Sequence, residues 1–574
     1  MSAHQPIFDI AAICAAHGIQ QAVVCPGSRC APLTLAFTSH PAIQTRTFSD
    51  ERSAAFVALG IAQQTQTPTV LVCTSGSAAY NFAPAVAEAF YQQIPLLIFT
   101  ADRPAEWIDQ WDGQTIRQEN IYGAHVKHAY SLPTATNHSD SIWHIHRLVN
   151  EAILLSTTFP AGPVHINVPL REPLYPAAGE AITFSKNLKV TTLEKTNPTL
   201  TIESLAGIRN KLSQYTKIMV VAGQQEKHTT LLQGVSRFCK QHGAALLGDV
   251  ISNFHPAEET VRLADVFLAH ANENLKAALQ PELLITFGKS VISKNLKQFL
   301  RSYAPVEHWH IQPGGYVPDP FQSLTKTIAC HPLDFFNQLT IEHSERQDSK
   351  NQHYLAQWQA VEQATREGYK NYFATTGFHE LDAVQTILKN LPAHINLHAA
   401  NSMSVRYLNL VGLTAQQKDI HVYANRGTSG IDGCTSTAVG HSLISNAPQV
   451  LLTGDLAFFY DRNAFWHNYK MPNLRVVVLN NQGGVIFNLI DGPGAVPQKD
   501  EFFVTHQALS ARHLAQEFNH TYLTAGSKEE LTEALREFFI FDGSTKILEI
   551  KSTQQQALIA FNDFKQVIKK SYAT

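Results

Sequence analysis

The chain has 574 residues, 44% of them apolar, and a formal net charge of −3. That length exceeds what one hydrophobic core organises and predicts about three domains. The charge balance and the lack of a basic run exclude a nucleic-acid or anionic-membrane surface, and no apolar run reaches the ~20 residues of a membrane span.

The first residues, Met-Ser-Ala-His-Gln-Pro, carry neither the charged nor the apolar region of a signal peptide. The seven cysteines are scattered and odd in number, which predicts reduced thiols and a cytoplasmic protein. Histidine is abundant, at 27 residues. His144/His146 and His308/His310 would each share a face on a strand, but no HExxH-type pair accompanies them, so they read as structural or surface histidines.

Over residues 1–180, apolar strands alternate with amphipathic helices. Residues 21–25, 69–74 and 95–100 read as strands, each running into a polar or glycine turn. A helix is predicted over 78–92, and 162–169 closes the block. Strand, glycine turn and helix in repetition mean βαβ units and a parallel sheet. The proline-bearing stretch 171–201 reads as a linker. A second α/β block covers 200–340, with strands at 217–223 and 283–288. The polar stretch 342–353 is a second linker. A third block, 354–574, has strands at 395–398, 420–424, 450–453 and 476–479. The predicted fold class is therefore α/β, with three Rossmann-like domains and mainly parallel sheets.

Two of those strands end in unusual chemistry. Residues 450–453 run into Gly454-Asp455-Leu456, and 476–479 run into Asn480-Asn481-Gln482-Gly483-Gly484. A carboxylate and a carboxamide are thus placed at strand ends, where open α/β sheets bind ligands. Asp455, Asn481 and a free backbone carbonyl are hard oxygen donors suited to Mg²⁺. Taken singly, Gly-Asp and Asn-Asn are ordinary turn chemistry; the pairing after two β-branched runs is what points to a site. Glu51 opens a helix after a strand, where an acid is also favoured simply by the helix dipole.

The pairing resembles the diphosphate–Mg²⁺ motif of thiamine-diphosphate (ThDP) enzymes, with Leu456 in place of the usual second glycine. Further motifs narrow the resemblance. Cys25-Pro-Gly-Ser-Arg29, Asp50-Glu-Arg-Ser-Ala54, Thr74-Ser-Gly-Ser-Ala78, Thr100-Ala-Asp-Arg-Pro104, Gln114-Thr-Ile, Asn401-Ser402 with Arg406, and Asn425-Arg-Gly-Thr-Ser-Gly-Ile-Asp-Gly433 together resemble the MenD family. These are the ThDP-dependent 2-succinyl-5-enolpyruvyl-6-hydroxy-3-cyclohexene-1-carboxylate (SEPHCHC) synthases of menaquinone biosynthesis. The resemblance covers essentially the whole chain; the middle block is only broadly similar.

The resemblance implies a ThDP-binding fold of pyrimidine-binding, central and diphosphate-binding domains. It implies a homodimer or a dimer of dimers with the active site between subunits. The implied reaction decarboxylates 2-oxoglutarate and adds the succinyl semialdehyde unit to isochorismate in a 1,4 sense. Glu51 would hydrogen-bond N1′ of the aminopyrimidine. Asp455, Asn481 and the Gly483 carbonyl would hold Mg²⁺ or Mn²⁺. Ile431 would lie under the bend of the cofactor, with Ile486 and Phe487 near the thiazolium. Ser402, Arg406 and Arg426 would grip the distal carboxylate of 2-oxoglutarate. Ser28, Arg29, Arg103, Gln114 and Lys294 would orient isochorismate. The four arginines are expected in loops or near strand ends, and suit dicarboxylate substrates because a guanidinium pairs with a carboxylate bidentately. Each alone reads equally well as a surface charge.

Three departures stand out. Asn295 follows Lys294 where some relatives carry Arg, Gly113 precedes Gln114 where Asn is frequent, and Ser77 replaces Thr. The runner-up is another ThDP decarboxylase or carboligase, such as an acetolactate-synthase-like enzyme, which handles smaller monocarboxylates. A dinucleotide oxidoreductase lacks its GxGxxG fingerprint here.

Overall fold

The apolar, β-branched segments form three separate parallel sheets in the computed structural model. It describes residues 4–570 apart from 178, 195, 197, 341–348 and 490–491. The first sheet holds β1 (Gln21–Val24), β2 (Gln44–Thr47), β3 (Thr69–Cys73), β4 (Leu96–Asp102), β5 (Ala129–Ser131) and β6 (Val164–Pro169), in the order 2-1-3-4-6-5. The second holds β7 (Ile218–Ala222), β8 (Ala245–Gly248), β9 (Leu283–Phe287), β10 (Glu307–Ile311) and β11 (Lys326–Ile328), in the order 11-10-9-7-8. The third holds β12 (Asn396–Ala399), β13 (His421–Tyr423), β14 (Gln449–Gly454), β15 (Leu474–Asn480), β16 (Thr521–Ala525) and β17 (Lys546–Lys551), in the order 13-12-14-15-17-16. All of these pairings are parallel. Their central strands, β3, β4, β7, β9 and β15, are buried along their whole length. That is why they read as continuous apolar runs rather than as alternating ones.

Local chemistry modifies several expected elements. The helix expected over 78–92 is two helices, Ser77–Asn81 and Ala83–Gln92. Pro84 lacks an N–H and cannot continue a helix from the preceding turn, but it fits the first turn of a new one. His144 and His146 lie on the helix Ser139–Thr157, so a spacing of two puts them on different faces rather than the shared one a strand would give. His308 and His310 do share a face of β10, and both meet the Thr286 hydroxyl, at 2.8 and 2.9 Å. Residues 171–201 contain no helix or strand among the described residues, yet they are docked. Ser185 donates to Asp9 from its N–H and its hydroxyl, each at 2.8 Å, and the Thr191 N–H donates to Asn150 at 2.8 Å. Most of the polar stretch 342–353 lies outside the described residues; its end is already helical, in Ser349–Thr375. Among the described residues no helix is long and apolar enough to cross a membrane.

The first and third sheets are joined through two helices, Glu51–Thr65 and Cys434–Ser442, that touch backbone to backbone. A Cβ on Gly60 would stand 2.2 Å from the Thr437 carbonyl oxygen, and one on Gly440 would stand 2.3 Å from that of Val57. Gly433 likewise leaves room for the Phe56 ring, 2.1 Å from where its Cβ would be. Phe48, Phe56 and Leu59 of the first block share one apolar cluster with Val439, Phe458 and Phe465 of the third. At the edge of this contact His441 meets Gln64 at 2.9 Å and Gln63 at 3.1 Å.

Because the neighbour at Gly60 is backbone, it cannot swing aside. Gly60→Ala should destabilise the contact by about 1–3 kcal/mol, the usual cost of overpacking a close-packed interior. A fall in the midpoint of urea unfolding measures it, and an unchanged midpoint refutes the tight-contact reading.

Candidate active site

At the C-terminal end of the third sheet lies a cavity of about 370 Å³, walled by the segments that follow β12, β14 and β15. The strand order places the switch in winding direction between β12 and β14, the position at which open parallel sheets leave a crevice. Gly454 pairs with Leu479, so Asp455 and Asn481 emerge from neighbouring strands.

Asp455 is 2% exposed and opens the helix Asp455–Tyr460. Its Oδ1 accepts from the Leu456 N–H at 2.7 Å. Its Oδ2 accepts from the Gly483 N–H and from Gln507 Nε2, each at 2.8 Å. Burial raises its pKa, against the pull of these donors. Asn481 donates from Nδ2 to Glu380 Oε1 at 2.8 Å, while its Oδ1 is buried with no hydrogen-bond partner among the described residues. A Cβ on Gly483 would stand 2.5 Å from Gln554 Nε2 and 2.9 Å from the Val504 carbonyl, so the backbone there passes where no side chain fits. A bare buried acceptor is costly unless something fills its place. One carboxylate, one carboxamide oxygen and one backbone carbonyl form a hard donor set, which fits a divalent cation that keeps waters and takes phosphate oxygens.

Ile431, Ile486 and Phe487 line the same cavity and are half-buried. At its other end stand Ser402, Arg406 and Arg426. Ser402 precedes the helix Met403–Val411 with φ +68° and ψ −129°, a sparsely populated conformation for a residue with a side chain. Arg406 lies within that helix, not in a loop, and its Nη1 donates to the Ser402 carbonyl at 2.5 Å. Arg426 donates from Nη1 to Asn401 Oδ1 at 2.8 Å, and its Nε is buried without a partner among the described residues. Burial lowers the pKa of both guanidiniums, and Arg406 lowers that of Arg426 further. The cavity is thus oxygen-rich at one end and cationic at the other.

Apart from Lys294, the other predicted residues form a second group at the end of the first sheet, and none of them lines this cavity. Glu51 opens the helix Glu51–Thr65 and is half-buried. Its neighbour Asp50 caps that helix by accepting from the Ser53 N–H at 3.1 Å, and also accepts from Asn463 Nδ2 at 2.7 Å. Arg29 donates to the Leu170 carbonyl at 3.1 Å and pairs with Glu172 at 3.4 Å. Arg103 pairs with Asp112 and donates to Ser75 Oγ at 3.2 Å. Burial, then repulsion from Arg103, lowers the Arg29 pKa. Ser28 and Gln114 are exposed. The turns that carry them are interlocked. A Cβ on Gly27 would lie 2.3 Å from Thr74 Cβ, and one on Gly76, at φ +89°, would meet the Gln114 backbone at 3.3 Å.

Lys294 joins neither group. It is exposed at the start of the helix Lys294–Ser302. Asn295 is engaged with Asp265 through its N–H at 3.0 Å and its Nδ2 at 2.7 Å. Within the same helix, Lys297 is half-buried and lines a second cavity, of about 390 Å³, at the ends of β7, β9 and β10; Arg426 lines both cavities.

Three buried residues at the site went unremarked in the sequence. Glu88, 1% exposed on the helix Ala83–Gln92, accepts from the Gly427 N–H at 2.8 Å and from the Thr428 N–H and hydroxyl at 2.6 Å each. It clamps the loop that carries Arg426. Gln118 accepts from the Gly76 N–H at 2.7 Å. Glu380 is fully buried behind Asn481, and burial, with the Asp455 charge added, pushes its carboxyl up to about 7. For Glu88 the available signal was an acid among the inward positions Ala85, Val86 and Ala89, where an unpaired charge is not tolerated.

Residues 8–121 match the N-terminal TPP-binding domain of thiamine pyrophosphate enzymes, and residues 203–398 match the thiamine pyrophosphate middle domain. The chain is 46% identical, over 99% of its length and 100% of the relative's, to the 2-succinyl-5-enolpyruvyl-6-hydroxy-3-cyclohexene-1-carboxylate synthase of Cytophaga hutchinsonii. It is 38% identical to the synthase of the same name from Flavobacterium johnsoniae, over 94% and 95% of the two chains. It is 37% identical to that of Porphyromonas gingivalis, over 97% and 96%. These relatives carry the one name, and none of them favours an acetolactate-type reading. With identity of this order along nearly the full length, and ThDP-enzyme domains in the same chain, the chain belongs to the SEPHCHC synthase family of ThDP-dependent enzymes.

Proposed function

We propose that the chain catalyses decarboxylation of 2-oxoglutarate and 1,4-addition of the succinyl semialdehyde unit to isochorismate, in menaquinone biosynthesis. The observation that carries the reading is the cavity with two opposite ends: the bare Asn481 Oδ1 beside Asp455, and the buried pair Arg406 and Arg426. Asp455, Asn481 and the Gly483 carbonyl would hold Mg²⁺ or Mn²⁺, which would supply positive charge to a diphosphate. When bound, ThDP supplies the nucleophilic carbon and the electron sink for decarboxylation and carbon–carbon bond formation.

The chain's own residues bind, orient and manage protons. Glu51 would hydrogen-bond N1′ of the aminopyrimidine. Ile431 would lie under the cofactor, with Ile486 and Phe487 near its thiazolium. Ser402, Arg406 and Arg426 take the distal carboxylate of 2-oxoglutarate. Ser28, Arg29, Arg103, Gln114 and Lys294 orient isochorismate. Residues 1–180, 200–340 and 354–574 act as the pyrimidine-binding, central and diphosphate-binding domains.

The two groups of site residues stand on different sheets, and Glu51, Ser28, Arg29, Arg103 and Gln114 do not line the third-sheet cavity. A homodimer, or a dimer of dimers, in which Glu51 of the partner subunit meets the third-sheet cavity brings them together. The seven cysteines are all free and buried, which favours a reducing, cytoplasmic setting.

With ThDP, Mg²⁺ and 2-oxoglutarate, loss of isochorismate should match CO₂ release one for one. Glu51→Gln should bind ThDP normally and lose at least ~100-fold in turnover, the usual range for a positioned proton-transfer group. Near-normal turnover removes Glu51 from its assigned role. Asp455→Ala should weaken Mg²⁺ and ThDP binding more than ~10-fold by calorimetry; unchanged affinity rules out the cation site. Mixed after subunit exchange, the two inactive variants should recover about a quarter of wild-type activity, because half of random dimers are hybrids with one intact site of two. No recovery in verified hybrids means that each site is built from one chain.

A further inference from the structure

Within the proposed cation site, Asn481 can serve as a ligand only if its carboxamide is turned the right way. Its two faces differ: the Nδ2 side donates hydrogen bonds and the Oδ1 side accepts them. Nothing about the Asn481 backbone decides between them, so a neighbour must.

That neighbour is Glu380. It opens the helix Glu380–Lys389, in the stretch between the long helix Ser349–Thr375 and β12. Its position is fixed from behind. The His379 ring caps the same helix by accepting from the Asp382 N–H at 3.2 Å, and is itself held by the Tyr372 hydroxyl at 3.0 Å and the Thr376 hydroxyl at 2.7 Å. Glu380 is 1% exposed and reaches the cavity wall. Its Oε1 accepts from Asn481 Nδ2 at 2.8 Å and from Ser552 Oγ at 3.2 Å.

A carboxylate only accepts hydrogen bonds. Facing one, the carboxamide must offer its nitrogen, which leaves its oxygen on the opposite side. Asn481 Oδ1 is buried with no hydrogen-bond partner among the described residues, as is Glu380 Oε2. We propose that Glu380 is a positioning residue for the divalent cation. It selects the Asn481 orientation that presents Oδ1 to the cation. Groups that orient metal ligands in this way typically change metal affinity 10–100-fold when replaced. The inference rests on the cation reading above, and Asp455→Ala separates the two.

The test is Mn²⁺ binding at saturating ThDP, followed by calorimetry and by the electron paramagnetic resonance of the bound ion. Glu380→Gln is nearly isosteric, but its amide can donate to Asn481 Oδ1 and turn the ligand away. Mn²⁺ should bind about 10–100-fold more weakly, with an altered resonance line shape, while the melting temperature without metal stays at the wild-type value. The double variant Glu380→Gln/Asn481→Asp should recover most of the lost affinity. Its new aspartate has two equivalent oxygens, so one can accept from the introduced amide while the other faces the cation. That double variant also restores the net charge and the hydrogen-bond match should Glu380→Gln alone fold poorly. Wild-type affinity and line shape in Glu380→Gln overturn the proposal. So does a loss that the double variant does not repair, because that marks a purely structural role. Wild-type binding in Asp455→Ala instead overturns the cation site itself.

Discussion

The close approach of the helices Glu51–Thr65 and Cys434–Ser442 is the constraint on which the rest of the site depends. Two glycines, Gly60 and Gly440, each face the other helix's backbone, and a missing Cβ on both sides lets the axes come nearer than packed side chains would allow. The consequences spread from there. Phe56 fits over Gly433 at the end of the loop that carries Arg426 and Ile431. From the neighbouring helix, Glu88 collects three donors from Gly427 and Thr428 of the same loop. A loop belonging to the third sheet is therefore shaped by the first.

The second organising feature is the separation of charge within one cavity. Asp455, Asn481 and Glu380 gather at the strand ends, and Arg406 and Arg426 gather at the start of the helix after β12. Burial works against every one of these charges. Asp455 and Glu380 are pushed up, and the two arginines are pushed down. Such groups keep their charge only with counter-charges close by, and in a medium of low dielectric those attractions are strong. The proposed ligands would supply them: a cation with diphosphate at one end, a carboxylate at the other. A site whose dipoles and charges are already aimed needs little rearrangement when charge develops during reaction.

Much of this was legible in the sequence, and the legible part is local. The strands expected at 69–74, 283–288 and 476–479 appear as β3, β9 and β15, within a few residues at each end. Their signal is a continuous run of buried apolar residues. The turns after β14 and β15 were marked by Gly-Asp and Asn-Asn, and the helix at Glu51 by an acid in its first turn; all of these act within four residues of themselves. The family motifs extended the reading to side chains that no local rule could choose. For His144 and His146 the shared face held only on a strand, and the segment is a helix. At Arg406, likewise, motif position said nothing of the helix it sits in.

Sequence alone determined the α/β class, the parallel order of strand and helix, the family, and which residue types stand at the strand ends. The tertiary structure alone decided which of those residues meet. It set Lys294 apart from both groups, engaged Asn295 with Asp265, and recruited Glu88, Gln118 and Glu380, which no motif had marked. The reason is physical. Periodicity and turn chemistry are properties of neighbours in the chain, whereas a buried carboxylate is stable only beside donors that the fold brings from elsewhere. Glu88 and Gly427 are 339 positions apart, and Glu380 and Asn481 are 101.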